Sequence, residues 1–335
     1  MSEILAQVTR GPMVESVHRG SVAVTNGAGE LLYWAGDPGL VTYMRSSAKP
    51  LQAMNVLPSG TDKLFGFTHK ELAIMCASHY GEPMHKEVIQ GILHKIGLPK
   101  EALKCGFQYS ISAAYKEKQL QEHMVIDEMN SNCSGKHCGF LAACVQKGYS
   151  IGDYYLPEHP VQQEVLGIVA RMSGVPADSI LLGIDGCGVP VHGLPVQAMA
   201  RSFARLTTPE DLSPEYASAC RTIVTAMNEH PEMIAGTNGF CTEFLKHTGG
   251  RFAAKTGAEG VYCIGVKDLN MGIALKIEDG NGRAVPAVML DILMQLNLLS
   301  EEELRSLDSF AHPVVKNVRK EDVGVIRPCF TLHKA

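Results

Sequence analysis

The chain has 335 residues, 45% of them hydrophobic, and a formal net charge of −5, which is enough apolar material for one large domain or two modest ones. The near-balanced charge, with no basic run, argues against a nucleic-acid partner, and no apolar stretch reaches the ~18 residues of a membrane span. The start, MSEILAQVTRG, is too short and too acidic for a secretory signal, so ten cysteines point to reduced thiols in a cytoplasmic compartment.

In chain order, the first forty residues read as strands. Ser21–Thr25 and Leu31–Ala35 flank Asn26–Gly27–Ala28–Gly29–Glu30, and an Asn-Gly turn between apolar runs predicts a hairpin. Thr68-x-x-Glu71 is a capping box opening an apolar-periodic run to about Tyr80. Helix patterns follow over roughly 83–96, 134–147, 160–173, 196–205 and 214–229. Gly260–Val266 and Met271–Ile277, flanking Lys267–Asp268–Leu269–Asn270, read as a second hairpin, and a late helix over about 285–298 contains Pro286. Strands at both ends with helices between predict an α+β chain. Its two ends are expected to pair in one antiparallel sheet flanked by helices, with residues 1–80 and 235–335 forming a sheet domain and 81–234 a mostly helical region.

The chemistry starts at MRSSAKPLQ, residues 44–52. Ser46 and Lys49 stand three apart, the spacing of one helix face, and Pro50 fits a helix start. A lysine acts as a base only when neutral, so it must be desolvated or set near other positive charge. S-x-x-K alone also describes a serine N-cap followed by a solvated lysine. A second element, Lys255-Thr256-Gly257 ending a strand-like run, completes a pattern shared with serine β-lactamases and penicillin-binding proteins. Their middle S-D-N element is matched only poorly by Ser131-Asn132-Cys133.

Further along, NSNCSGKHCGF (130–140) clusters Cys133, His137 and Cys138, and GIDGCGVPVHG (183–193) sets Asp185 and Cys187 among Gly183, Gly186 and Gly188. These glycines permit unusual backbone angles in a tight loop. Cys133, Cys187 and one residue between could hold zinc with an open position, and donor chemistry favours His137 as the third ligand. Buried free cysteines are the plainer alternative, and the reading expected for Cys76, Cys144 and Cys263. Gly135-Lys136 is not a P-loop, and Gly183-x-x-Gly186-x-Gly188 is not a dinucleotide fingerprint.

The segments RSSAKPLQ, CASHYGEP, NCSGKHCGF, GIDGCGVPVHGLP and AAKTGAEGVY resemble the L-asparaginase II family, the rhizobial-type or third structural class of asparaginases, from about Val14 to Leu332. The resemblance implies a serine β-lactamase- and glutaminase-like fold and hydrolysis of L-asparagine to L-aspartate and ammonia. It implies two serine–lysine pairs, Ser46 with Lys49 and Ser78 with Lys255, and a zinc site on Cys133, Lys136 and Cys187, with Lys136 in place of His137. It also implies substrate contacts at Arg45, Asn132 and Asp185, and a homodimer. Ser46 is the expected nucleophile and Lys49 its base, with Ser78 and Lys255 relaying protons to the departing ammonia. The rivals are a glutaminase or β-lactam hydrolase of the same fold, and a zinc-containing protein that binds amino acids without cleaving them.

Overall fold

A computed structural model describes all 335 residues. The strands, in chain order, are β1 (Glu3–Arg10), β2 (Met13–Thr25), β3 (Leu31–Ala35), β4 (Val41–Tyr43), β5 (Leu181–Ile184), β6 (Pro190–Pro195), β7 (Phe252–Gly257), β8 (Val261–Val266), β9 (Met271–Ile277), β10 (Val314–Lys316), β11 (Asp322–Pro328) and β12 (His333–Lys334). Nine of them form one sheet along the path β10-β11-β1-β2-β9-β8-β7, with β3 and β12 attached beside β2. Its pairings are antiparallel and join the two ends of the chain, as in Ala6↔Pro328 between β1 and β11 and Val22↔Leu275 between β2 and β9. The α+β class, the antiparallel sheet built from both ends and the helical middle all match the sequence expectation. Both expected hairpins form, as β2–β3 and β8–β9.

The middle supplies helices at Pro83–Lys95, Ser134–Lys147, Pro160–Ser173, Val196–Thr207 and Pro214–Glu229, and the late helix is Val285–Gln295. Four of these six have proline in their first turn, where a missing N–H costs nothing. The middle also holds β5 and β6, which form a small sheet with β4 and fell outside the sequence reading. Helix Val196–Thr207 lies directly on the large sheet. Gly265 and Gly272 face each other across β8 and β9, and a Cβ on them would meet Phe203 O at 2.2 Å and Ala200 O at 1.9 Å. Only glycine lets a helix backbone approach a sheet so closely.

The capping box forms as read: Thr68 Oγ1 accepts from Glu71 N, and the Glu71 carboxylate accepts from Thr68 N. The helix ends at Met75, however, not near Tyr80. Beyond Cys76 the chain is drawn off by tertiary backbone bonds, Ser78 N–H to Ile234 O at 2.9 Å and Tyr80 N–H to Ala235 O at 2.8 Å. Ser78 therefore stands on a short irregular segment between helices.

Candidate active site

Ser46 lies in a single 3-10 turn, Arg45–Ala48, that leads into the short helix Lys49–Ala53. Neither element has a side-chain N-cap, so the plain capping role is absent. Ser46 is half-buried at this turn. Arg45 beside it has φ 50°, a left-handed conformation that costs an arginine about 1 kcal/mol or more and collects at functional sites. The turn rests on the edge strand β7. A Cβ on Gly257 would lie 2.7 Å from Met44 O and 3.3 Å from Ser47 N, so the glycine of Lys255-Thr256-Gly257 is what lets strand and turn touch.

Lys49 and Lys255 are both fully buried, and they converge on Ser78. Lys49 Nζ donates to Ala77 O at 2.6 Å and Asn132 O at 3.0 Å, and lies 3.1 Å from Ser78 Oγ. Lys255 Nζ donates to Thr256 O at 2.8 Å and lies 2.9 Å from Ser78 Oγ. The hydrogen bonds of Lys49 thus go to Ser78 and two backbone carbonyls, and none to Ser46. Burial, opposed by Cys241 and reinforced by the neighbouring Lys49, drives the Lys255 pKa down from 10.5 to about 7. A neutral Lys255 can accept the Ser78 proton while Lys49 donates to the same oxygen. Ser78 so connects two amines, one of them poised to change charge near neutrality.

The second cluster gathers at the start of helix Ser134–Lys147. Gly135 lets this helix abut the end of helix His69–Met75, since a Cβ there would meet Ile74 O at 2.1 Å. The loop that carries Ser78 and the loop that carries Cys133 are held together at this point. Lys136 Nζ donates to Cys187 Sγ at 3.1 Å. A hydrogen bond from Cys133, and then the Lys136 charge, overcome burial and lower the Cys187 pKa to about 5. The same hydrogen bond and burial push Cys133 up to about 12. The two sulfurs therefore share one proton, with the thiolate on Cys187. Burial opposes the Lys136 charge, but Cys187, Cys133 and Asp185 outweigh it and raise its pKa. Two sulfurs and an amine are donors of the type a borderline-soft cation takes once their protons are displaced, but no group of three or more His, Cys, Asp or Glu side chains is arranged to hold a metal ion.

His137, favoured by donor chemistry alone, instead lies 2.6 Å from Tyr154 Oη through Nδ1, and burial drives its pKa down to about 3. Of the three glycines in the Asp185–Cys187 loop only Gly188 has a left-handed angle, φ +87°. Gly183 sits in β5, where a Cβ would meet Tyr43 Oη at 2.9 Å. Cys76, Cys144 and Cys263 are buried and unpaired, as expected.

Arg45 Nε donates to Asp185 Oδ1 at 2.8 Å, and Arg45 Nη1 lies 4.0 Å from Glu259 Oε1. Burial works against the Asp185 carboxylate, but Lys136, the Gly186 N–H and Arg45 hold its pKa below the usual range. Asp185 thus links the metal-type cluster to the serine turn. Asn132 enters through its backbone carbonyl, the acceptor for Lys49. Sequence reasoning missed this acceptor role, as it missed those of Ala77 and Thr256. A carbonyl acceptor leaves no mark on residue identity.

The sequence model of the L-asparaginase II family matches residues 6–328, nearly the whole chain. No curated protein sequence matches significantly. Among solved structures, the chain is similar to Mglu in its glutamate form at 15% identity and TM-score 0.36, over 84% of this chain and 61% of that one. It is also similar to Mglu in its native form in 4.3 M NaCl at 14% identity and TM-score 0.39, over 85% and 63%. The chain spans less than two thirds of the length of these Mglu chains.

Proposed function

The chain belongs to the L-asparaginase II family, and from that premise we propose that it is an amidohydrolase that cleaves L-asparagine to L-aspartate and ammonia through a serine ester. The observation that carries this reading is Ser78 Oγ held between two buried amines, at 3.1 Å from Lys49 Nζ and 2.9 Å from Lys255 Nζ. A protein that only bound an amino acid would have no use for two desolvated lysines on one hydroxyl.

In this reading Lys255, with its pKa near 7, accepts the Ser78 proton, and Ser78 takes one from Lys49. Lys49 is left neutral and serves as the base for Ser46, one turn earlier in the chain. Ser46 Oγ then attacks the carboxamide carbon as its proton passes to Lys49. As the C–N bond breaks, Ser78 returns a proton to the departing nitrogen, which leaves as ammonia. Water attacks the ester by the same relay, giving L-aspartate and free Ser46. Arg45 suits the substrate α-carboxylate and Asp185 its α-ammonium. The zwitterion would replace their mutual ion pair with one contact at each end. Asn132 is the third expected substrate contact.

Cys133, Lys136 and Cys187 would hold the zinc ion that the family resemblance implies. A bound zinc ion supplies positive charge beside Asp185 and fixes the loops that carry these residues. A homodimer in a cytoplasmic setting belongs to the same reading.

A second assignment has a specific observation in its favour: both amines touch Ser78, so Ser78 could be the nucleophile with Lys255 as its direct base. Quenching turnover and mapping the aspartyl ester by peptide mass separates the two. The ester is expected on Ser46, absent in Ser46→Ala and retained in a slow Ser78→Ala. An ester on Ser78 in the Ser46→Ala variant would reverse the roles. Ammonia release from asparagine and glutamine side by side, with nitrocefin as a third substrate, tests the reaction itself. Stoichiometric asparagine binding without ammonia would leave only the binding-protein reading.

A further inference from the structure

A cavity of about 230 Å³ opens at Ser78 and has Thr256 and Gly257 on its rim. Its wall is formed by Tyr80, Ile111, Phe240, Tyr262, Val285 and Pro286, and no charged side chain lines it. Tyr262 is fully buried, and its hydroxyl oxygen accepts from Cys241 Sγ–H at 3.5 Å. The charged groups suited to an amino-acid head, Arg45, Asp185 and Glu259, are not among the lining residues. Gly257 belongs to the cavity and also touches the Met44–Ser47 turn. The charged pole beside the Met44–Ser47 turn and the uncharged bay at Ser78 therefore meet across Gly257.

A primary amide fills only half of this arrangement. In the reading above its head takes Arg45 and Asp185 as ionic partners, and its carbonyl carbon is the one Ser46 attacks. Its nitrogen points toward Ser78, the group that returns the proton in the reading above. Ser78 also lines the bay walled by Tyr80, Ile111, Phe240, Tyr262, Val285 and Pro286, which carries the tyrosine hydroxyls but no charge. Ammonia has only N–H groups to offer and gains nothing from such a wall, whereas an alkyl group on the nitrogen would be buried against it.

We propose that the site also hydrolyses secondary β-aspartyl amides, N4-alkyl-L-asparagines with a small alkyl group, and releases the corresponding alkylamine. The proposal rests on the asparagine reading and extends it to the leaving group. The Ser46 Oγ–carbon bond forms and the carbon–nitrogen bond breaks. The nitrogen takes its proton from Ser78 and departs as R–NH2. Water then cleaves the ester to L-aspartate and the free serine, and no oxidant or further reactant is needed.

The experiment compares L-asparagine with N4-ethyl-L-asparagine on the full-length enzyme, with ammonia and ethylamine separated by chromatography. Ethylamine release with kcat/KM within about a hundredfold of the asparagine value supports the proposal, since a pocket with room for ammonia alone would reject the two added carbons at roughly 10–200-fold per methylene. Slower release while asparagine is still cleaved overturns the proposal and spares the asparagine reading. Cleavage of neither amide overturns both. Narrowing the bay locates the alkyl group. Ile111→Trp, on a half-exposed side chain, and Val285→Phe should each lower the ratio of ethyl-amide to asparagine kcat/KM by about tenfold or more. Val285 is buried, so Ile111→Trp keeps the test intact if Val285→Phe misfolds. A ratio unchanged in Ile111→Trp would overturn the bay as the alkyl site.

Discussion

Lys255→Met should abolish turnover and yet make the protein more stable at neutral pH. A buried lysine whose pKa falls from 10.5 to about 7 destabilises the fold wherever it must be charged there, and the penalty changes with pH only where the unfolded chain holds a proton that the folded chain does not. At about 1.4 kcal/mol per pH unit, that difference reaches about 5 kcal/mol at and below pH 7. It shrinks as pH rises from 7 toward 10.5 and vanishes above, because the unfolded lysine then also loses its proton. Methionine fills similar volume without the amine but forfeits the hydrogen bonds to Ser78 Oγ and Thr256 O, worth about 1 kcal/mol each. The net expectation is a gain of about 3 kcal/mol at pH 7 that turns into a small loss near pH 10.5. Urea unfolding followed by circular dichroism at pH 7, 8.5 and 10 reads this directly, and an ammonia assay reads the activity. A stability difference that does not change with pH would mean that Lys255 folds with its proton on, and the relay through Ser78 would lose its acceptor.

The same amine sets the pH profile: kcat/KM should rise with pH through an apparent value near 7 as Lys255 loses its proton. Lys49→Arg, which keeps the charge but cannot give up its proton, should be inactive at every pH, and a normal acid limb in that variant would remove Lys49 as base. Elemental analysis should find about one zinc per chain, lost in Cys133→Ala and in Cys187→Ala but kept in Cys144→Ala. Asp185→Asn should raise KM for asparagine roughly ten- to hundredfold with a smaller effect on kcat, and an unchanged KM would free Asp185 from ammonium binding. Gly135→Ala, with its methyl 2.1 Å from Ile74 O, should destabilise the fold by about 3 kcal/mol, measured as a lowered unfolding midpoint.

Much of the architecture was legible because local rules carried it. The Thr68–Glu71 box, the prolines at helix starts and the turns at Asn26–Glu30 and Lys267–Asn270 each act within a few residues. The site was legible in its parts and not in its wiring. Ser46 and Lys49 are one turn apart in sequence, yet Lys49 bonds to Ser78, twenty-nine residues away. Ser78 is reachable only because Ile234 and Ala235 draw its segment out of the preceding helix pattern, a contact with no local signature. Lys136 and Cys187 lie fifty-one residues apart, and the Nδ1 contact of His137 with Tyr154 Oη spans seventeen.

The pairing of the chain's two ends has a consequence for biosynthesis. Strand β2 emerges early, but its sheet partner β9 begins at Met271, and β1 finds β11 only at Asp322. At a synthesis rate of roughly 5–20 residues per second, the first hairpin waits on the order of 10–50 s for its neighbours. Through that interval β2, whose Ser21–Thr25 stretch is wholly buried in the finished sheet, is exposed to any other unpaired strand nearby. Lys255 joins Ser78 across 177 residues of chain, so no active site can exist on a nascent chain that has not yet delivered β7. The early hairpin is therefore the stretch for which shielding until the last strands arrive matters most.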